Sequence, residues 1–228
     1  MTDFFRTYDL RGKYPEQISK EEARRLGKAY GTHIENRAMV ARDGRNQSDE
    51  ITNAFIEGIL STGSDVVDIG MVPTPVLYFA VDNQDFSNGA VVTASHNPPE
   101  YTGFKFCLDE GLSMSRENGM KKIQEIYESE EFDEGEGSLE EENVEKEYLE
   151  AVSKLFEVDI EVAVNYGNGV SADIAPELLE KIGCKVTHIN EDIDGSFPNH
   201  LPDPTNEEAQ KALKDEMGDE DLGIIFDG

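Results

Sequence analysis

Three side chains able to do chemistry fall within eleven residues of one another, in the run Thr93-Ala94-Ser95-His96-Asn97-Pro98-Pro99-Glu100-Tyr101-Thr102-Gly103-Phe104-Lys105-Phe106. A serine hydroxyl can carry a transferred group, and an imidazole or an amine can move its proton. The apolar stretch Gly89 to Thr93 reads as a buried strand that ends just before them. Pro98 and Pro99 forbid its continuation as strand or helix interior. Ser95 is therefore expected on a loop at a strand's carboxyl end, where open α/β sheets place their ligands. In the following strand Phe104 and Phe106 share one face, which turns Lys105 to the other. Singly these are a turn serine, a loop histidine and a surface lysine; together they are a candidate site.

The elements that must position them alternate between helical and strand patterns, which reads as α/β. Ser19 followed by Glu22 is a capping box opening a helix, with Ala23, Leu26, Tyr30 and Ile34 on one face. Met39–Ala41 and Asp65–Ile69 read as strands, with Ile51, Phe55 and Ile59 marking a helix between them. Ile123, Ile126 and Tyr127 mark another helix. From Glu128 to Glu147 eleven of twenty residues are acidic, which reads as a solvated connector. Val144, Tyr148, Val152 and Leu155 give a linking helix. A second unit follows: a strand at Ile160–Val164, a Gly167-Asn168-Gly169 turn, a helix from Ala172 to Ile182 stopped by Gly183, a strand at Lys185–Ile189, a helix at Glu207–Met217 and a strand at Leu222–Phe226. Two tandem three-layer α/β/α domains with mixed sheets are expected, over residues 1–142 and 143–228, the second incomplete at its C-terminal end.

Composition narrows the partners. Asp and Glu number 49 against 20 Lys and Arg, a formal charge of −29. Such a surface repels nucleic acid and anionic membranes, so neither is expected as a partner. The acids run along the whole chain without breaking the helical and strand patterns, which points to adaptation to a salt-rich cytoplasm. Cys107 and Cys184 sit in apolar stretches with no CxxC partner and read as buried thiols of a reducing compartment. No stretch has the length of apolar residues that spans a bilayer, and no signal peptide opens the chain. The Gly167-Asn168-Gly169 turn lacks the third glycine of a dinucleotide loop. Asp192, Asp194 and Asp203 lack EF-hand spacing and read as loop carboxylates.

The run from Ser95 through Lys105 resembles the phosphoserine signature of the α-D-phosphohexomutases, of the phosphomannomutase/phosphoglucomutase kind. Other segments are similar to that family's motifs in the same order: Phe5-Arg6-Thr7-Tyr8-Asp9-Leu10-Arg11-Gly12, Ala41-Arg42-Asp43-Gly44-Arg45, Asp68 to Pro75, Asn165 to Val170 and Asp194 to Pro204. Phe226-Asp227-Gly228 looks like the start of the family's metal loop, in which three aspartates precede an arginine; Asp227 matches the first.

The resemblance implies a phosphohexomutase that moves phosphate between C6 and C1 of a hexose through a bisphosphosugar. Ser95 would be the phosphoserine, Lys105 the general acid/base and His96 a positioning group. Tyr8 and Arg11 would lie near the substrate cleft, and one Mg²⁺ would be held by Asp227 and the phosphate on Ser95. Hexose phosphates are the implied substrates, a glucose 1,6-bisphosphate-type compound the activator, and a homodimer a partner arrangement open to the chain. Full members of the family run to about twice this length, so a partial or inactive mutase is expected here. A non-catalytic sugar-phosphate-binding or assembly fragment is the alternative, and within the family phosphoglucosamine mutase is the runner-up. Arg42, Asp43 and Arg45 read as loop fasteners, since guanidinium–carboxylate pairs hold turns well.

Overall fold

The computed structural model describes residues 4–34, 36–84 and 86–228. Its first sheet has six strands: β1 (Leu10–Lys13), β2 (Arg37–Arg42), β3 (Asp65–Met71), β4 (Asn88–Val92), β5 (Tyr101–Leu108) and β6 (Leu139–Glu141). Their spatial order is β1-β5-β4-β2-β3-β6. The β4-β2-β3-β6 run is parallel, and β5 is antiparallel to both β4 and β1. All five residues of β4 and four of the six in β2 are buried, as expected for central strands covered on both faces.

Alternation along these strands feeds two cores. Ala38, Val40, Ala90, Val92, Phe104 and Phe106 pack under the helices α1 (Lys20–His33), α2 (Ser48–Leu60) and α4 (Lys121–Ser129). Met39, Ala41, Val91 and Cys107 face the opposite layer, under α3 (Thr74–Asn83). The expected opposition of Phe104 and Phe106 to Lys105 is thus present. Ser19 caps α1 by accepting from the Glu22 amide at 3.3 Å. The reciprocal half of the expected capping box is not made, and the buried Oε2 of Glu22 has no partner. Glu21 takes the Ser19 hydroxyl instead; its own backbone N–H and then that hydroxyl hold its carboxyl below the usual range.

The acidic connector contains structure that its composition hides. β6 is an exposed edge strand inside it, and Ser138 ties it to β3 through hydrogen bonds from N and Oγ to Asp65 Oδ1 (2.6 and 2.8 Å). Acidic side chains along such an edge discourage further pairing. The linking helix α5 (Glu145–Ser153) follows, with Val144 and Leu149 in the same core as α3 and Tyr148 edge-on to Phe79.

The second unit holds β7 (Ile160–Asn165), α6 (Ala175–Lys181), β8 (Cys184–Ile189), α7 (Glu207–Glu216) and β9 (Leu222–Ile225), in the sheet order β8-β7-β9. All three strands are parallel, where a mixed sheet was expected, because each return to the sheet is made by a helix. The helix expected from Ala172 is split into a 3-10 turn over Val170–Asp173 and α6, with Pro176 in the first turn of the latter. Gly183 ends it at φ +104°, the left-handed stop that its position suggested. Among the described residues no helix is long and apolar enough to cross a membrane.

Candidate active site

Ser95 lies three residues beyond β4, at the carboxyl end of the parallel strands. Its backbone is left-handed (φ +50°), a conformation that costs a non-glycine residue about 1–3 kcal/mol and persists only when its surroundings impose it. The imposing contacts are polar. Thr93 Oγ1 accepts from the Ser95 amide at 3.0 Å, and the Ser95 carbonyl accepts from Arg45 Nη2 at 2.6 Å. Arg45 also donates to the carbonyls of Asn97 (2.7 Å), Pro98 (2.7 Å) and Tyr101 (3.2 Å), and its Nε to Asp43 Oδ2 (3.2 Å). Gln47 Nε2 adds bonds to the carbonyls of Pro99 (3.0 Å) and Tyr101 (2.7 Å). The loop is therefore pinned through its main chain.

A cavity of about 390 Å³ opens beside it, at the seam of the two units. Ser95, His96, Lys105, Arg11 and Asp43 line it from the first unit, and Asp227 from the second. Val72, Pro73, Ile174, Leu178 and Phe226 give it an apolar part of its lining. Arg11 on β1 pairs in register with Gly103 on β5, and Lys105 comes two residues later, so the two cations share one face of the sheet. Asp9 accepts from Arg11 Nε at 2.8 Å, and the Asn97 side chain accepts from its Nη1. Arg11 thus makes an ion pair with Asp9 and also faces the cavity.

Lys105 is half-buried. That burial first, and then the charge of Arg11, lower its pKa from the ordinary lysine value, while Asp227, Asp9 and Asp43 act in the opposite sense. His96 Nδ1 lies 3.0 Å from Asp227 Oδ2, joining the serine loop to the end of β9 across the seam.

Tyr8 does not join this constellation. It stands 64% exposed and does not line the cavity, because the Arg6–Asp9 turn carries it outward. Asp43 and Arg45 belong to the site more closely than their reading as loop fasteners suggested, and Asn97 joins them by accepting from Arg11 through its side chain and from Arg45 through its carbonyl. The fastening itself is present, but it acts on the serine loop. Ser171 also lines the cavity, buried, with its Oγ unpartnered. Asp194 and Asp203 are spent on turns, accepting from N and Oγ of Ser196 and from N and Oγ1 of Thr205. Asp192 offers its carbonyl to Asn168. None of the three is arranged as a calcium ligand. Cys107 is buried as expected, its thiol pushed up to about 12 by that burial.

The residues present do not make a Mg²⁺ site by themselves. Among the described residues no three acidic, histidine or cysteine side chains converge, and Asp227, engaged with His96, is the only carboxylate that the second unit brings to the cavity. Mg²⁺ takes octahedral oxygen ligation, commonly from carboxylates, waters and phosphate together.

The family model described as phosphoglucomutase/phosphomannomutase, α/β/α domain I, matches residues 2–134, and its domain II counterpart matches residues 145–228. A phosphomannomutase/phosphoglucomutase of Pseudomonas aeruginosa is 37% identical over 98% of this chain and 50% of its own length. A probable phosphoglucosamine mutase of Pyrococcus abyssi is 35% identical over 100% of this chain and 52% of its own. A crystal structure of a phosphoglucomutase/phosphomannomutase family protein from Burkholderia thailandensis superposes with a TM-score of 0.92 at 34% identity, covering this whole chain and 53% of that one. The chain spans about half the length of the curated relatives it matches.

Proposed function

This chain belongs to the phosphoglucomutase/phosphomannomutase family, the α-D-phosphohexomutases, and on that premise we propose that it supplies the phosphoryl-carrying part of a hexose-phosphate mutase, with Ser95 as the carrier. The observation that carries this reading is the serine held in a strained loop beside one cavity with Lys105, Arg11, His96 and Asp227.

In the proposed transfer a hydroxyl oxygen of a hexose monophosphate bonds to the phosphorus on Ser95 as the bond from phosphorus to Ser95 Oγ breaks. The hydroxyl's proton passes to Lys105 Nζ and on to Ser95 Oγ, which leaves as a serine hydroxyl. The product bisphosphosugar returns its other phosphoryl group by the reverse steps. A neutral amine is needed to take the first proton, and burial of Lys105 favours that form. Arg11 would hold substrate phosphate, and His96, bonded to Asp227, would orient the loop's outer face. By resemblance, a bound Mg²⁺ would neutralise phosphoserine charge, with Asp227 as one of several ligands that it would require. Hexose phosphates are the proposed substrates and a hexose 1,6-bisphosphate the compound that charges Ser95. The phosphoglucosamine reading stays beside the glucose and mannose ones, supported by the resemblance to the Pyrococcus protein.

The test is to incubate the chain with glucose 1,6-bisphosphate and map phosphopeptides. Label on Ser95, slowed strongly by Lys105→Met, is expected. Label on another residue with Ser95 untouched would sink the reading. Saturable binding of hexose phosphate with no label at all would favour the non-catalytic sugar-phosphate-binding alternative.

A further inference from the structure

Arg45 is 4% exposed and uses every donor its guanidinium has. The group carries five N–H bonds in a fixed fork. Nε takes Asp43, Nη1 takes Pro98 and Tyr101, and Nη2 takes Ser95 and Asn97. Four of the five acceptors are main-chain carbonyls of the serine loop, one of them that of Ser95. An ammonium has three donors and no fork, so lysine cannot reproduce the set.

The outer face of the same guanidinium is covered from the second unit. The Phe197 ring stands 4.9 Å from Arg45 Cζ. Gly195 lies on the Arg45–Asn46 backbone so closely that a Cβ there would come 2.4 Å from Asn46 N. That loop is fixed in turn: Asp194 N donates to Asn168 O at 3.0 Å, and Phe197 N to Asp194 O at 2.9 Å. A continuous set of contacts therefore runs from the second unit, through Arg45, to the backbone of Ser95.

We propose that Arg45 is a positioning residue that aims Ser95 Oγ for phosphoryl transfer, and that the Asp194–Phe197 loop of the second unit holds Arg45 in that role. The proposal rests on the reading of Ser95 as phosphoryl carrier. Arg45 touches no substrate in it; it acts by keeping a strained serine at one angle. Misplacing a reacting group by about 1 Å is enough to cost roughly 100-fold in rate.

The experiment measures single-turnover phosphorylation of Ser95 by glucose 1,6-bisphosphate, as a function of bisphosphate concentration, in the 228-residue chain. Arg45→Lys is expected to lower the limiting rate by about 100-fold while the half-saturating concentration moves by less than about threefold, because transition-state alignment is lost and ground-state binding is not. Arg45→Ala is expected to recover rate when about 10 mM guanidinium is added, a concentration that leaves its melting temperature where it was; a merely structural role would not give that response. Phe197→Leu, which keeps apolar volume but removes the ring face, is expected to slow transfer by roughly 3–10-fold. Wild-type protein labelled at Ser95 with folded Arg45→Lys running at the wild-type rate would overturn the proposal, as would an effect confined to half-saturation. Should the Arg45 variants fail to fold, an unchanged rate in Phe197→Leu overturns it and a slowed one upholds it. Wild-type protein that takes no label at Ser95 removes the underlying reading, and the proposal falls with it.

Discussion

Gly103 on β5 pairs with Arg11 on β1, two residues before Lys105. A Cβ added there would stand 2.0 Å from the Leu10 carbonyl oxygen and 3.0 Å from that of Thr93. Both neighbours are main chain, so neither can rotate away. Restoring an ordinary contact of roughly 3.5 Å requires β1 to retreat by about 1.5 Å. Forced overpacking of this kind costs about 1–3 kcal/mol, and here it also breaks the strand pairing that carries Arg11. Gly103→Ala is therefore expected to lower unfolding free energy in urea by about 2 kcal/mol. It is also expected to slow Ser95 phosphorylation well beyond the stability loss, by roughly 100-fold, since Arg11 and Lys105 are displaced together. Gly218→Ala is the control, because the nearest atom to its new Cβ is the flexible Glu220 carboxylate at 3.4 Å. A loss below about 0.5 kcal/mol in Gly103→Ala, the range of an ordinary surface change, would refute the argument. So would normal transfer in a destabilised variant.

Two further outcomes follow from charge and burial. With 49 acids against 20 lysines and arginines, repulsion outweighs the exposed ion pairs, so raising KCl from 0.1 to 3 M should increase the melting temperature, by about 2–4 °C for each kcal/mol of repulsion relieved; a flat or falling curve in differential scanning fluorimetry would count against it. Lys105 should acetylate at lower pH in the folded protein than in the urea-unfolded chain under competitive labelling. Its folded pKa is depressed, so between that value and the ordinary lysine value the unfolded chain holds the extra proton, and stability should rise with pH through that window. Reactivity of Lys105 that begins at the same or a higher pH in the folded protein than in the unfolded chain would contradict this.

Elements whose sequence carries a local period were legible, and those that exist only through a distant partner were not. The helices around Ile51 and Ile123 and the strands at Met39, Asp65 and Ala90 announce themselves by spacing. β1 is four residues, Leu-Arg-Gly-Lys, with no apolar alternation, and it is a strand because β5 offers it an edge. β6 is Leu-Glu-Glu inside an acidic run, held by β3 and Asp65. α3 begins at Thr74-Pro75 within a stretch that reads first as a motif, and its apolar residues give it only a weak face. The same division holds at the site. Ser95 and Lys105 were singled out from side-chain type and spacing and Asp227 from a resemblance, and the structure brings all three to one cavity. The extent of Arg45's role was not legible, because its acceptors are carbonyls about fifty residues away, and a carbonyl leaves no mark in a sequence. The outward direction of Tyr8 was not legible either, because a motif gives neighbours in the chain, not the direction in which a turn throws a side chain.

The loop of the second unit that meets Arg45 is held within that unit by polar contacts whose direction can be worked out. His200 is buried, and its Nδ1 lies 2.7 Å from the Leu201 carbonyl, which can only accept. The proton is therefore on Nδ1, and Nε2 is left to accept from Asn165 Nδ2 at 2.9 Å. With its amide oriented by that bond, Asn165 turns Oδ1 toward the Gly167 amide (3.0 Å) and Asn190 Nδ2 (3.1 Å). Asn168 continues the set, donating to the Asp192 carbonyl and accepting from Asn199, both at 2.8 Å. Each contact admits one donor and one acceptor, so the loop from Asn190 to Leu201 cannot slide in register as an apolar patch could. That loop carries Gly195 and Phe197 onto Arg45, and Pro202 just beyond it packs on Gly228, beside the carbonyl of Ser95. Apolar burial also crosses the seam, since Val144, Leu149 and Ile174 share the core under α3, whereas directional hydrogen bonds hold the loop from Asn190 to Leu201 in the shape that meets Arg45. A change that removes one of these polar partners should therefore disturb the site more than it disturbs either core.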